Sequence, residues 1–183
     1  AKREGEAGYR SPDLPAPAEG VVPAMRVGRA ADRPAKEPWQ MTKKEFQANP
    51  PKGFRYDPNQ TAEGRHRPSG EENIVLGPKF FDLSTDLREQ VVHHEIGHGL
   101  SDDMLADMSA FDLADEGAFG PKRPDGQIDG INGMRTPGEN VAEAYALIQT
   151  EPQYLKSNYP KAYDAIARRM ISEGKPVPAE VLK

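Results

Sequence analysis

The stretch from Ser84 to Leu100 constrains this chain more than any other part of it. Ser84 has the character of a helix N-cap, and Leu87, Val91 and the pair His94/His98 recur behind it at helical spacing, so a helix is predicted over about Thr85 to Leu100. The chain has four histidines, and three of them fall at positions 93, 94 and 98. His94 and His98 are four apart, which on a helix sets both imidazoles on one face, one turn apart. Val91, Val92, Ile96, Gly97, Gly99 and Leu100 surround them with uncharged positions, as expected of a helix buried behind a site. Two imidazoles and a carboxylate in so apolar a stretch need partners that satisfy them.

A metal ion is the partner that this spacing suits. Two imidazoles one turn apart can both reach a single Zn²⁺ at ~2.0–2.1 Å. Glu95 follows the first ligand directly. It leans beside the metal without ligating it, placed to take a proton from a water that the metal activates. This is the H-E-x-x-H arrangement. Gly97 also lets another backbone or a substrate come close. His93 points elsewhere on the helix and is expected to be structural or at the surface.

A catalytic zinc needs a third protein ligand and one open position. A His or Asp six residues after His98 is excluded, because Met104 stands there and Ser101 stands three after His98. A glutamate from a second helix is the other source. Thr136-Pro137 opens such a helix, with Thr as N-cap and Pro at the first helical position. Glu139 and Glu143 lie on it four apart, hence on one face. Glu139 is assigned as the ligand and Glu143 as the acceptor for the N–H of a ligating imidazole. Glu143 as the ligand is the alternative. Thr136 and Glu139 also have the capping-box spacing, under which Glu139 would only cap its helix. Asp102 and Asp103 are expected to end the first helix or to orient a ligand.

The rest of the chain supplies less. Residues 1–40 carry Pro12, Pro15, Pro17, Pro23, Pro34 and Pro38 without periodicity and read as an extended arm or linker, on which Val21, Val22, Met25 and Val27 form an apolar patch able to dock. Residues 41–183 read as one domain. Thr42 to Glu45 has capping-box spacing, with a short helix through Phe46 that Pro50-Pro51 ends. Phe54-Arg55-Tyr56 is a candidate strand, residues 57–72 a loop, and Asn73 to Leu76 a better strand closed by Gly77-Pro78. Residues 101–135 read mostly as loop, their Asp-Gly pairs as plain turns. A last helix runs from near Pro160 to a glycine stop at Gly174.

With 183 residues, a low mean hydropathy and 36% apolar against 29% charged residues, a modest single core with some irregular chain is expected. The absence of cysteine excludes disulfides and thiolate metal sites. A net charge of −5 without a basic stripe argues against nucleic acid as a partner. No apolar run approaches the ~20 residues of a membrane span, and residues 1–15 hold no signal-peptide core. The first residue is Ala1, so the expectation is a processed form or a domain of a longer protein whose address signal lies elsewhere.

The order of motifs also resembles a known family. Asn73 to Leu76, His94-Glu95-Ile96-Gly97-His98, Pro137-Gly138-Glu139-Asn140-Val141-Ala142-Glu143-Ala144-Tyr145 and Tyr159-Pro160-Lys161-Ala162-Tyr163 together look like the catalytic domain shared by anthrax lethal factor and the clostridial Pro-Pro endopeptidases. The resemblance covers about residues 73–170. It implies a zincin-like α+β fold: a small sheet, an active-site helix with H-E-x-x-H and a second ligand-bearing helix. It implies hydrolysis of peptide bonds in proteins, with Zn²⁺ on His94, His98 and Glu139, Glu95 as general base and Glu143 behind a ligand. The family has an oxyanion-stabilising Tyr shortly before the second helix, where this chain has Asn132-Gly133-Met134-Arg135. Arg135 is the expected substitute, with Tyr56 and Tyr163 as alternatives. Ile74, Val75 and Leu76 are expected to bind an extended substrate by edge addition. A toxin or effector module is implied, exported from a bacterium by a dedicated route or delivered into a target cell, with an immunity or inhibitor protein as a partner. A zinc-stabilised binding domain without turnover and a protease that cleaves a repressor are the competing readings.

Overall fold

The computed structural model describes residues 36–68, 73–179 and 181. The arm expected over residues 1–35, with its apolar patch Val21, Val22, Met25 and Val27, lies outside them. Residues Pro38–Gln40, read from the sequence as the end of that arm, form a 3₁₀ turn, and Trp39 packs on the core cluster that holds Phe46 and Val92. Among the described residues the fold is mixed α+β, mostly helical, with one three-stranded sheet.

Helix α1 (Lys43–Ala48) starts where expected, and Thr42 and Glu45 cap each other reciprocally. Strand β1 (Phe54–Tyr56) follows. The stretch read as a loop then contains a second strand, β2 (Gly64–His66), and β3 (Ile74–Leu76) completes the sheet in the order β1-β3-β2. Strand β3 is parallel to β1, with Phe54 opposite Ile74, and antiparallel to β2, with Gly64 opposite Leu76. It is the central strand, buried at all three positions, which is why it reads as an unbroken apolar run. That corrects the expectation that Ile74, Val75 and Leu76 pair with substrate. Both of their edges are already taken, and the edge nearest the site belongs to β2.

Helix α2 (Thr85–Ala106) begins at Ser84, whose hydroxyl accepts the Leu87 N–H, and runs six residues beyond the predicted end. Leu100 and Met104 are both buried and one turn apart, so the apolar face continues past Gly99 and holds Asp102 and Asp103 within the helix. It stops at Met108, which takes the left-handed conformation with φ 66°. Helix α3 (Ser109–Asp115) follows, another element inside the predicted loop. Helix α4 (Pro137–Thr150) has the predicted cap, a short α5 (Pro152–Asn158) comes next, and α6 (Pro160–Ser172) ends before Gly174 in the left-handed conformation.

Helix α2 lies between two apolar clusters. Phe46, Ile74, Leu76, Phe80 and Val92 form one with the sheet. Leu100, Met104, Val141, Tyr145, Ile148, Ile166 and Met170 join α2 to α4 and α6 in the other. The α2–α4 contact is close. A Cβ on Gly97 would stand 2.7 Å from both the Cα and the carbonyl oxygen of Ala142. The motif glycine is therefore where two helix backbones meet, and this brings the histidine face of α2 against the glutamate face of α4.

Candidate metal centre

Helix α4 presents Glu139 to α2. Its Thr136 hydroxyl accepts the Glu139 N–H at 3.3 Å. The Glu139 carboxylate does not turn back to the cap, in contrast to Glu45 in α1. It reaches across to α2 instead, with Oε2 at 3.2 Å from His94 Nε2 and Oε1 at 3.7 Å from His98 Nε2. The ligand atoms of His94, His98 and Glu139 all lie within 4.8 Å of one another, and this triad can hold a metal ion. Donors bound at ~2.0–2.1 Å in a tetrahedron stand roughly 3.3 Å apart, and Glu139 sets one carboxylate oxygen at about that separation from each imidazole. Two imidazoles, one carboxylate and no thiolate match the donor set of a catalytic zinc site.

Glu143 lies one turn further along α4 and serves the far side of the same imidazole. Its Oε2 is 3.2 Å from His94 Nδ1, and its Oε1 accepts the Asn132 side-chain amide at 2.6 Å. The two candidates for third ligand thus face opposite nitrogens of His94. Glu139 shares its space with His98, whereas Glu143 holds the other ring nitrogen.

Burial would lower the affinity of His94 for a proton, but the Glu143 hydrogen bond and the charges of Glu95, Glu143 and Glu139 outweigh it and raise the group above its ordinary value. His98 is pushed down, by burial first and by His94 next. The hydrogen bond from His94 holds Glu143 below the usual carboxylate range, with Asn132 adding to it against the effect of burial. Glu95 is raised chiefly by burial, while His94, the His66 backbone amide and Arg65 pull it down. Its side chain lies under β2, where a Cβ on Gly64 would come within 2.9 Å of Glu95 Cγ and Oε1. Glu95 is thus a buried carboxyl beside the candidate triad, with its proton affinity raised and room left for it by a glycine.

His93 faces away from this cleft. It packs 5.2 Å from Trp39 and 6.2 Å from Tyr145, ring centre to ring centre, and burial pushes its imidazole down to about 4. The structural role expected for it holds.

The cleft over the triad has a volume of about 410 Å³ and is lined by His94, Glu95, His98 and Glu139 below and by Gly64, Arg65 and His66 of β2 above. His66 is the functional candidate that sequence reasoning missed. Its ring stacks on that of His98 with centres 6.1 Å apart, and its Nδ1 lies 3.8 Å from Asp102 Oδ2. The available signal was that it is the chain's fourth histidine; without the strand, nothing tied it to the site. The expected oxyanion donors are not at the cleft. Arg135 is exposed and lines neither cleft nor groove, Tyr56 packs against Phe81, and Tyr163 lies on α6 with its side chain in the core. A groove of about 490 Å³ opens on the other side of His94 and Glu95, walled by Ala62, Leu83, Leu87, Val91, Met134, Ala146 and Leu147.

No helix among the described residues is long and apolar enough to cross a membrane. No protein-family model, curated protein or solved structure matches the chain.

Proposed function

We propose that this chain is a zinc-dependent metalloendopeptidase with a zincin-like domain, hydrolysing peptide bonds in protein substrates. One observation carries the reading: the His94–His98–Glu139 triad stands beside a buried carboxylate, Glu95, whose affinity for a proton is raised. A purely structural ion has no need of such a neighbour. When bound, zinc supplies Lewis acidity, which activates water near neutral pH and polarises a carbonyl. Glu95 takes the proton of the attacking water and returns it to the leaving amine. Glu143 keeps the proton of His94 on Nδ1. Among the residues of the cleft roof, His66 carries an N–H able to face a developing oxyanion.

The substrate reading follows from β2. Gly77 N–H bonds to the Glu63 carbonyl and Arg67 N–H to the Asn73 carbonyl, so alternate residues of this strand face β3. Gly64 and His66 face away from it, toward the cleft. An extended peptide laid along that edge crosses above Glu95, and the adjoining apolar groove suits a bulky apolar side chain next to the scissile bond. The family resemblance extends the proposal to a toxin or effector module acting outside the cell that makes it.

The test is cleavage of a peptide library by zinc-loaded protein. Activity abolished by chelator, and abolished by Glu95→Gln with zinc still bound, is expected; activity surviving Glu95→Gln refutes the mechanism. The position of Arg135, Tyr56 and Tyr163 away from the cleft favours a second reading, a zinc-stabilised binding domain. That reading requires stoichiometric zinc, a melting point that drops on chelation and no cleavage of any library member.

A further inference from the structure

Segment 130–134 departs from ordinary backbone at three residues. Gly130, Asn132 and Gly133 have φ of 75°, 50° and 82°. Asn132 is a non-glycine residue in the left-handed region, where a side chain costs energy and Asn is among the few types tolerated. The turn around it is built in place. A Cβ on Gly130 would meet the Met134 carbonyl oxygen at 1.3 Å, so only glycine fits there. The Ile131 side chain is fully buried, and its N–H donates at 2.6 Å to Oδ1 of Asn140, a fully buried amide in the first turn of α4. Asn140 Nδ2 donates in turn to the Thr136 carbonyl at 3.0 Å. The turn is thereby pinned to the helix that carries Glu139 and Glu143.

The effect of all this is one hydrogen bond, from Asn132 Nδ2 to Glu143 Oε1 at 2.6 Å. The other oxygen of that carboxylate faces His94 Nδ1 at 3.2 Å. Asn132, Glu143 and His94 thus form a chain that ends at the triad. We infer that Asn132 is a positioning residue for the metal centre: its amide fixes the Glu143 carboxylate so that Glu143 takes the N–H of His94 Nδ1 and leaves Nε2 as the nitrogen facing the metal. The inference rests on the reading of His94, His98 and Glu139 as a zinc site and goes beyond it by adding a residue that touches no ligand atom of the ion. It also gives a use to the segment in which the family resemblance anticipated a tyrosine. Partners that orient a metal-bound imidazole are worth roughly 10–100-fold in metal affinity, and Asn132 acts through such a partner, Glu143.

Asn132→Gly removes the amide while glycine adopts the same φ freely, so the turn is kept. Zinc affinity is measured by competition with a chromogenic chelator at neutral pH, and thermal stability is measured on the metal-free protein. The expected result is a zinc Kd about 10–100-fold weaker than wild type, with one zinc still bound at saturation and an unchanged metal-free melting point. Adding Asn132→Gly to Glu143→Ala is expected to cost little more than Glu143→Ala alone, because the amide acts through that carboxylate. A wild-type Kd in Asn132→Gly, or equal losses on both backgrounds, overturns the inference while the zinc reading stands. Failure of the wild type to take up zinc overturns both.

Discussion

Replacing Gly97 by alanine tests whether the α2–α4 contact sets the geometry of the centre. The added methyl would stand 2.7 Å from Ala142 Cα and oxygen and 3.0 Å from Tyr145 Cβ. Carbon atoms pack at about 3.5–4.0 Å, so the helices must part by something on the order of 0.8 Å. The obstacles are backbone atoms and a Cβ, which cannot swing aside. Overpacking of this kind costs about 1–3 kcal/mol, set against a gain of up to about 1 kcal/mol from replacing glycine within a helix. Gly99 is the internal control: it lies on the same helix, and its added Cβ meets nothing closer than His66 Nε2 at 3.9 Å. Gly99→Ala takes the helix gain alone. The difference between the variants is therefore about 1–3 kcal/mol, or roughly 2–12 °C in melting temperature for a domain of this size. Parting the helices also draws His94 and His98 away from Glu139, and ligand geometry tolerates only about 0.5 Å. Zinc affinity is expected to fall at least about tenfold in Gly97→Ala and to stay near wild type in Gly99→Ala. Melting curves with and without zinc, together with chelator competition, read both effects. Equal melting points and equal zinc affinities for the two variants would show that the Gly97 contact does not set the geometry of the centre.

Other perturbations probe the parts of the site separately. Gly64→Ala drives a methyl against Glu95 Cγ and Oε1; turnover is expected to fall on the order of 10²-fold with one zinc per chain retained, and loss of zinc instead would place Gly64 in metal binding. Leu87 walls the apolar groove with its side chain half exposed, so Leu87→Glu is expected to lower kcat/KM roughly tenfold or more for peptides with a bulky apolar residue at the cleaved bond, and an unchanged peptide preference would remove the groove from the substrate site. His93, largely buried with 14% side-chain exposure, has its proton affinity depressed from 6.5 to about 4. The folded state then binds fewer protons than the unfolded one between those values. The stability contributed by neutral His93 is complete above pH 6.5 and is lost as pH falls to about 4, amounting to about 3 kcal/mol. Denaturant titrations of metal-free wild type and His93→Phe across that range should diverge by this order, and parallel curves would contradict the burial of a neutral imidazole.

What was legible in the chain depended on how local its cause was. The starts of α1, α2 and α4 were readable because Thr42, Ser84 and Thr136 cap the backbone within three residues of themselves. The candidate metal triad was readable because i, i+4 spacing puts His94 with His98, and Glu139 with Glu143, on single faces. Which glutamate met the histidines was a question of how α2 and α4 pack, and spacing alone left it open; the orientation of the Glu139 carboxylate, away from its own cap, answers it in the folded chain. Strand β2 was hidden because Gly64-Arg65-His66 has no alternation of its own and becomes a strand only through β3, ten residues further on. Losing β2 meant losing His66 and assigning the substrate edge to the central strand. The αL turn at Asn132 was equally silent, since its function depends on the tertiary contact with Glu143.

Everything proposed for this chain depends on a zinc ion held by His94, His98 and Glu139. The direct measurement is the metal content of purified protein after zinc loading and removal of excess, on wild type, His94→Ala, Glu139→Ala and Glu143→Ala. One zinc per wild-type chain is expected, lost in His94→Ala and Glu139→Ala and largely kept in Glu143→Ala. Wild-type protein without zinc, or a Glu139→Ala variant that keeps it while Glu143→Ala does not, would contradict the site as the structure arranges it.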